Sequence, residues 1–511
     1  MATRTIVFEK QFGGWIPTPE GSVPHGSGLE GRENQYTDSV SVNLFRRGYL
    51  GDIAPGEMFQ DMAGGTNNIN ALPLNGVVAS NGEAFVVLAN SRVVQFGVGD
   101  DIIDGTDVVG TSVATTNDND IEIFEDGNGT EWVAWTWEHS VDNTADIVRM
   151  KSDGTNQDDD WFSTLSGSGK LTKGVPHKIK LGPDRIFYCT NERYIASHDP
   201  RGSSGNTQAL DLGPGWVSTA LEVYGIYLAI AARKATTYIT SFSASETKLF
   251  LWDGFKSTPD FVYDLGDYNV TGLKNDNGTL SIFTNGKNNT TKVKVLSGNE
   301  IVTVIERADI GNPPLAKSIE TFKGGIVWGQ NSGNFLISGA WKTDNGFAHH
   351  QAMHPYPTTA SIAAIGLLKN LSTSVLYAGV TVAGNSTITK INDSSYFTNA
   401  DWFSRHVRLP YLSRITKIKF YLSQFGTGAS FTAGMFENYD SATIGGANDL
   451  LNRQFTQATW GSVDEISVPV YFPNLSSFSV GVLFDHASST NTAAIIKRIE
   501  VEYEPMSISA P

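Results

Sequence analysis

The sequence predicts an all-β protein: a β-propeller of about seven blades, with an extended N-terminal arm and a C-terminal antiparallel β-sandwich of jelly-roll type. Three observations predict it. A turn followed by a short apolar run recurs every 42–53 residues, about seven times. Asn-Gly and Asp-Gly dipeptides punctuate the same span. After residue 395 the pulse stops and alternating apolar–polar runs replace it. A four-stranded unit repeated at ~40–50 residues is a propeller signature, because each sheet buries its faces only against its neighbours.

Residues 1–72 read as the arm. They are rich in Gly, Pro and polar residues, as in Gly13-Gly14-Trp15-Ile16-Pro17 and Pro24-His25-Gly26-Ser27-Gly28. Such a string buries too little apolar surface to fold alone. Its scattered anchors, Phe8, Phe12, Trp15, Ile16, Leu44, Phe45 and Phe59, describe a segment that orders against something else, such as a neighbouring subunit. On this reading the propeller folds without residues 1–60 and ring assembly does not.

Residues 73–395 carry the pulse. The unit starts fall at Gly82, Gly129, Gly182, Tyr224, Asn277, Lys323 and Ser372. The span is 323 residues, about 46 per unit over seven units; six or eight blades stay open. The continuous apolar run Ala84–Ala89 suits an inner strand packed on both faces, and the alternation over Thr290–Val295 suits an outer strand. The dipeptides Asn81-Gly82, Asp126-Gly127, Asp153-Gly154, Asp253-Gly254, Asn277-Gly278, Asn285-Gly286 and Asn345-Gly346 predict hairpin turns with positive φ. Residues 396–511 hold alternating runs such as Ile415–Leu422, Ser430–Phe436, Phe478–Phe484 and Ile495–Val501, at the spacing of a sandwich.

Bulk properties narrow the function. The 511 residues carry 37 Lys+Arg against 53 Asp+Glu, a net charge of −16, and no long basic run. Wrapping nucleic acid needs clustered cations, so this chain is a poor candidate for it. The acidic balance suits a surface that DNA slides past. The single cysteine, Cys189, excludes an internal disulfide and reads as a buried structural residue. No signal-like apolar core opens the chain and no apolar run reaches the ~20 residues a bilayer requires, so assembly in a host cytoplasm without membrane insertion is expected.

Candidate chemistry is sparse. The loops Asp118-Asn119-Asp120 with Glu122, and Asp153 through Asp160, offer hard oxygen ligands, but neither has EF-hand spacing and both read as solvated hairpin tips. His349, His350 and His354 form the one histidine cluster, and no partner set completes a zinc site. The stretch Asp126-Gly127-Asn128-Gly129-Thr130-Glu131-Trp132 looks like a loose Asp-box hairpin of sialidases, present once. Trp132, Trp135 and Trp137 are read as alternating on one strand face, where they would make either a sugar shelf or core packing. No P-loop and no G-x-S-x-G elbow occur. No residue is assigned a catalytic, cofactor-binding or metal-binding role, and the chain is not read as an enzyme.

Three stretches resemble a known family. They are Gln35 through Gly56, which contains Leu44-Phe45-Arg46-Arg47-Gly48-Tyr49-Leu50-Gly51, then Phe403–Pro410 followed by Arg414–Ile418, and the close Ile496–Tyr503. They look like the leader, the start of the terminal sandwich and its last strand in tail hub or nozzle propeller proteins of short-tailed bacteriophages. The resemblance implies a virion structural protein of the tail, a homo-oligomeric ring, often hexameric. Such a ring meets the portal, adaptor and other tail proteins, carries tail fibres, and lets DNA pass without specific contact. The rival reading is a propeller that binds or cleaves host-surface glycans; another is a cytoplasmic propeller scaffold.

Overall fold

The computed structural model describes residues 3–9, 14–15, 35–40, 57–61, 73–88, 93–96, 120–138, 144–166, 169–175, 177–234, 246–286, 291–307, 319–322, 325–330, 339–343, 349–353, 362–370, 375–382, 385–396, 399–404, 406–437, 449–461, 463–486 and 493–506. Among the described residues everything regular is β, apart from two single helical turns, Trp161–Thr164 and Gln457–Trp460.

Small antiparallel sheets follow one another along the chain. Five are regular four-strand meanders of consecutive strands. In chain order these are sheets 2 to 6, with innermost strands Ile121–Glu125, Ile179–Leu181, Trp216–Tyr224, Asn269–Asp276 and Ile319–Phe322. Sheet 1 has three described strands, beginning with Pro73–Val78. Sheet 7 is composite: Ile362–Asn370, Val375–Val382 and Asn385–Tyr396 take their fourth strand, Glu57–Asp61, from the N-terminal segment. The innermost strands touch in cyclic order, and that of sheet 7 returns to that of sheet 1. This is a β-propeller. The expectation of about seven like blades is corrected: among the described residues the regular four-strand blades number five, sheet 1 shows three strands and sheet 7 is composite.

The sequence pulse marks the second strand of each sheet, not the innermost. Ala84–Leu88, predicted as an inner strand, lies between Pro73–Val78 and Val93–Phe96. It is buried at every position, as are Phe187–Asn191 and most of Glu131–Glu138. A second strand is paired on both edges and covered on both faces, so it reads as a continuous apolar run. The alternating run near Thr290 is a third strand, Thr291–Ser297, with Glu300–Arg307 outside it.

Turn chemistry holds in part. Gly82, Gly154, Gly254 and Gly278 have positive φ, but in the Asp126 hairpin positive φ falls on Gly129, and Gly286 is not in that region. Asn345-Gly346 lies outside the described residues. At Gly254 two demands coincide: φ is +85°, and an added Cβ would sit 2.5 Å from the Tyr188 hydroxyl of the neighbouring sheet.

Buried polar groups lock sheet to sheet. Asp120 is fully buried at the start of sheet 2. Its Oδ1 accepts from Asn75 Nδ2 of sheet 1 (2.8 Å) and from the Ile121 amide (2.7 Å), and its Oδ2 accepts from the Ile179 amide of sheet 3 (2.8 Å). Asp267, between sheets 4 and 5, ties them by two routes: its carboxylate accepts from Thr284 Oγ1 (2.7 Å) and pairs with Lys294 Nζ (2.6 Å) of sheet 5, and its backbone carbonyl accepts from Thr247 Oγ1 of sheet 4 (2.9 Å). Such carboxylates are tolerated in a core because nearby donors replace water.

The C-terminal region is a two-layer sandwich. Glu465–His486 spans both layers: its first half pairs with Val407–Phe425, its second with Asn399–Ser404 and Ala429–Phe436. Phe420 of one layer meets Phe431 (5.4 Å) and Phe455 (5.6 Å) of the other. The first layer ends on Ala494–Pro505, beside which lies Arg4–Glu9.

The N-terminal reading is therefore revised. Its described pieces are strands of this chain's own domains. Arg4–Glu9 edges the sandwich and buries Phe8 against Trp402 and Phe478; Gln35–Val40 pairs with Asn399–Ser404; Glu57–Asp61 completes sheet 7. A polar string with widely spaced anchors suits edge strands, whose pairing supplies the ordering energy that burial alone does not. Deleting residues 1–61 is expected to lower the melting temperature and expose the propeller to limited proteolysis. A truncated chain that melts and resists protease like the full one would refute this closure.

Candidate functional site

The innermost strands surround a cavity of about 510 Å³ on the propeller axis. Five of them present the same local pattern, a charged residue after an apolar one: Ile121-Glu122, Ile179-Lys180, Leu221-Glu222, Leu273-Lys274 and Ile319-Glu320. Alternation along a strand turns the apolar neighbours into the sheet stack and the charged residue toward the axis. The signs alternate around the ring. Lys180 Nζ stands 3.5 Å from both Glu122 and Glu222, and Lys274 Nζ stands 2.9 Å from Glu320. Asn275 Nδ2 donates to the Val223 carbonyl (2.9 Å), tying sheets 4 and 5 beside this belt. The two flanking glutamates hold the Lys180 ammonium well above its ordinary value and outweigh its desolvation. The belt is thus an interlock of opposite charges across neighbouring sheets.

The sequence signal for this belt is the recurrence of apolar–charged pairs about 42–58 residues apart. It passes unnoticed because single charges on strands ordinarily mark a solvated face.

The other candidates disperse. Asp120 is a buried lock and Glu122 joins the belt; Asp118 and Asn119 lie outside the described residues. Asp153 accepts from the Thr155 amide (2.9 Å) and hydroxyl (2.6 Å), and Asp158 faces Arg149 (3.4 Å). Among the described residues no three His, Cys, Asp or Glu side chains gather as a metal site. His349 and His350 lie on the outer strand of sheet 6, and His354 falls outside the described residues. Cys189 is buried, burial pushes its thiol up, and its Sγ lies 3.3 Å from the Thr190 carbonyl.

The Asp126 hairpin is closed by its own carboxylate. Its carboxylate accepts from the Asn128 amide (2.8 Å), the Thr130 amide (3.0 Å) and Trp132 Nε1 (2.9 Å). Burial alone would raise Asp126, and these donors outweigh it and hold the carboxyl below its ordinary range. The hairpin is a structural turn. The tryptophans make no sugar shelf, and their single-face reading is corrected. Trp135 and Trp137 pack toward sheet 1, whereas Trp132 points the opposite way and packs with Phe124, Trp161 and Phe187 at sheet 3. All three are buried.

Asp146, opposite Trp137, is a buried carboxyl raised above its ordinary value by burial and further by Asp160, against the Ser163 and Ile147 donors. A carboxyl raised in the folded state contributes stability below its unfolded value of ~3.9, and that contribution is lost as pH rises through the folded value.

Two predictions follow from these groups. Lys180→Met is expected to destabilise the propeller by about 1–2 kcal/mol, because two carboxylates are left facing each other. The triple change Glu122→Gln, Lys180→Met, Glu222→Gln is expected to recover part of the loss. Calorimetric melts of the parent and the two variants decide it: a triple variant no more stable than Lys180→Met refutes the interlock. For Asp146→Asn, the melting temperature is expected to fall less than that of the parent chain between pH 4 and 7; parallel curves would refute a raised carboxyl there.

No family model matches the chain. No curated protein matches it in sequence. Solved structures are similar at low identity. One is the β-propeller domain of Cps50 (Swd1) from Myceliophteria thermophila, at 11% identity and TM-score 0.42, covering 65% of this chain and 100% of that one. Another is a chain of the mitotic checkpoint complex, at 10% identity and TM-score 0.40, covering 66% and 93%. The propeller assignment rests on the sheet topology above.

Proposed function

We propose that this chain is a structural subunit of a virion, a component of a tail hub or nozzle ring of a short-tailed bacteriophage, and not an enzyme. The observation that carries the reading is where the resembling stretches lie. Within the stretch Gln35 to Gly56, Gln35–Val40 pairs with Asn399–Ser404, the strand that enters the second resembling stretch. The third, around Ile496–Tyr503, pairs with the continuation of the second, Ile418 opposite Val501 and Phe420 opposite Ile499. Three distant segments that resemble one family are thus neighbours in one domain. A sandwich so built is a stable platform for fibres or an adjacent tail component.

The propeller supplies rigidity. Its axis is no DNA path: a cavity of about 510 Å³ crossed by ion pairs holds at most a small molecule. In this reading the DNA channel lies between subunits, on the axis of a homo-oligomeric ring that is hexameric by analogy. The net charge of −16 keeps such a wall from trapping phosphate.

Native mass measurement and negative-stain imaging of the purified full chain test it. Closed rings, or incorporation into tails beside portal and adaptor proteins, are expected. A solitary chain that cleaves or binds host polysaccharide would overturn the reading in favour of the glycan propeller.

A further inference from the structure

Sheet 4 differs from its neighbours at one end. In an antiparallel meander of four strands the first and third hairpins open at the same end of the sheet. In sheets 1, 2, 3 and 5 the first hairpin carries turn formers: Asn81-Gly82, Asp126 through Gly129, Pro183-Asp184-Arg185 and Asn277-Gly278. In sheet 4 it is Gly225-Ile226, between Tyr224 and Tyr227, and Ile226 is 70% exposed. The third hairpin holds Asp199 through Ser204 in sheet 3 and Gly298-Asn299 in sheet 5. In sheet 4 it holds Phe255, which is 82% exposed. Tyr227 and Phe261 join the two tips, with ring centroids 5.8 Å apart, and Phe261 is itself exposed. Hairpin tips ordinarily hold residues that suit the turn and hydrate well. Ile226 and Phe255 do neither, and an apolar patch with a polar rim marks a contact surface.

The sandwich carries a second such patch. Tyr411 and Leu412 lie in Val407–Phe425, the Met506 amide donates to the Leu412 carbonyl (2.8 Å), and the Arg414 guanidinium stands over the Tyr471 ring (5.5 Å). Tyr411, Leu412, Tyr471 and Met506 are all exposed. Tyr, Met and Arg are the residue types that interface centres favour. The two rims differ in sign. At this end of sheets 4 and 5 stand Asp253, Asp260, Asp276 and Glu300, against Lys256. Beside the sandwich patch stand Arg408 and Arg414, against Glu504. In a chain of net charge −16 a cationic rim is the exception, and it complements the acidic one.

We propose that these two surfaces meet between copies of this chain: the Ile226 and Phe255 tips of one copy seat on the Tyr411, Leu412, Tyr471 and Met506 patch of the next. The inference rests on the ring reading above and names the contact that builds the ring. Each copy has one surface of each kind, so the contact is head-to-tail. It repeats from copy to copy, and every patch is covered when the ring closes. Either patch paired with itself would stop at two copies and set like charge against like. Phe255 and Tyr471 are the anchors, because large aromatic side chains gain most from being covered. The acidic rim and the two arginines set the register.

The test uses the full chain and two double variants, read by native mass and sedimentation. One variant joins Ile226→Asn to Phe255→Ser; the other joins Tyr411→Ser to Tyr471→Ser. The parent is expected to form rings and each variant to stay solitary, with circular dichroism like the parent's. Mixed together, the variants are expected to form pairs and nothing larger, because each supplies the surface the other lacks. If a double variant fails to fold, the single changes Phe255→Ser and Leu412→Ser carry the test. Each is expected to raise the concentration at which rings come apart about tenfold. Rings from either double variant, single changes that leave that concentration unmoved, or a mixture that stays solitary beside a ring-forming parent, overturn this contact and leave the ring reading standing. A parent that is itself solitary overturns both.

Discussion

Ring closure is the constraint on which the rest of the structure depends. Each small sheet has two apolar faces and stays dry only between neighbours. The sheets therefore stand together when the last meets the first. Here that junction is made by pairing Glu57–Asp61, from before the first sheet, with Asn385–Tyr396, from the last. Closing the ring thus requires the chain's early residues to return to residues more than three hundred positions away. Such a long loop costs entropy once, and the many sheet–sheet contacts it secures repay that cost.

The same early segment also ties the sandwich. Arg4–Glu9 and Gln35–Val40 lie on either side of the contribution from the C-terminal region. Edge strands are a liability when left open. An N-terminal segment that lines sandwich edges and then seals the propeller covers those edges and holds both domains with one piece of chain.

Much of this was legible in the sequence, and what was not has physical reasons. The period and the change of pattern near residue 395 are visible because second strands, buried on both faces, repeat as uninterrupted apolar runs. Their position in the sheet was misjudged, since an apolar run marks burial and not proximity to the axis. The innermost strands, which carry Glu122, Lys180, Glu222, Lys274 and Glu320, look amphipathic and so resemble surface strands. The tryptophans were ambiguous for a simpler reason. Trp132 stands an odd number of residues from Trp135 and Trp137, so it occupies the opposite face, and each face of sheet 2 is covered by a neighbouring sheet. The N-terminal anchors could be seen, but strand pairing is non-local and a sequence does not name the partner strand.

The buried polar residues share one use. Asp120, Asp267, Glu138 and His177 lie at junctions between neighbouring sheets or the straps joining them, and the axial charges bridge innermost strands. A polar group committed to several fixed donors or acceptors is rigid and poorly reactive, because changing its protonation or geometry breaks those bonds together. A fold that invests its buried charge in this way gains a specific sheet order, since apolar faces alone would tolerate exchange of one blade for another.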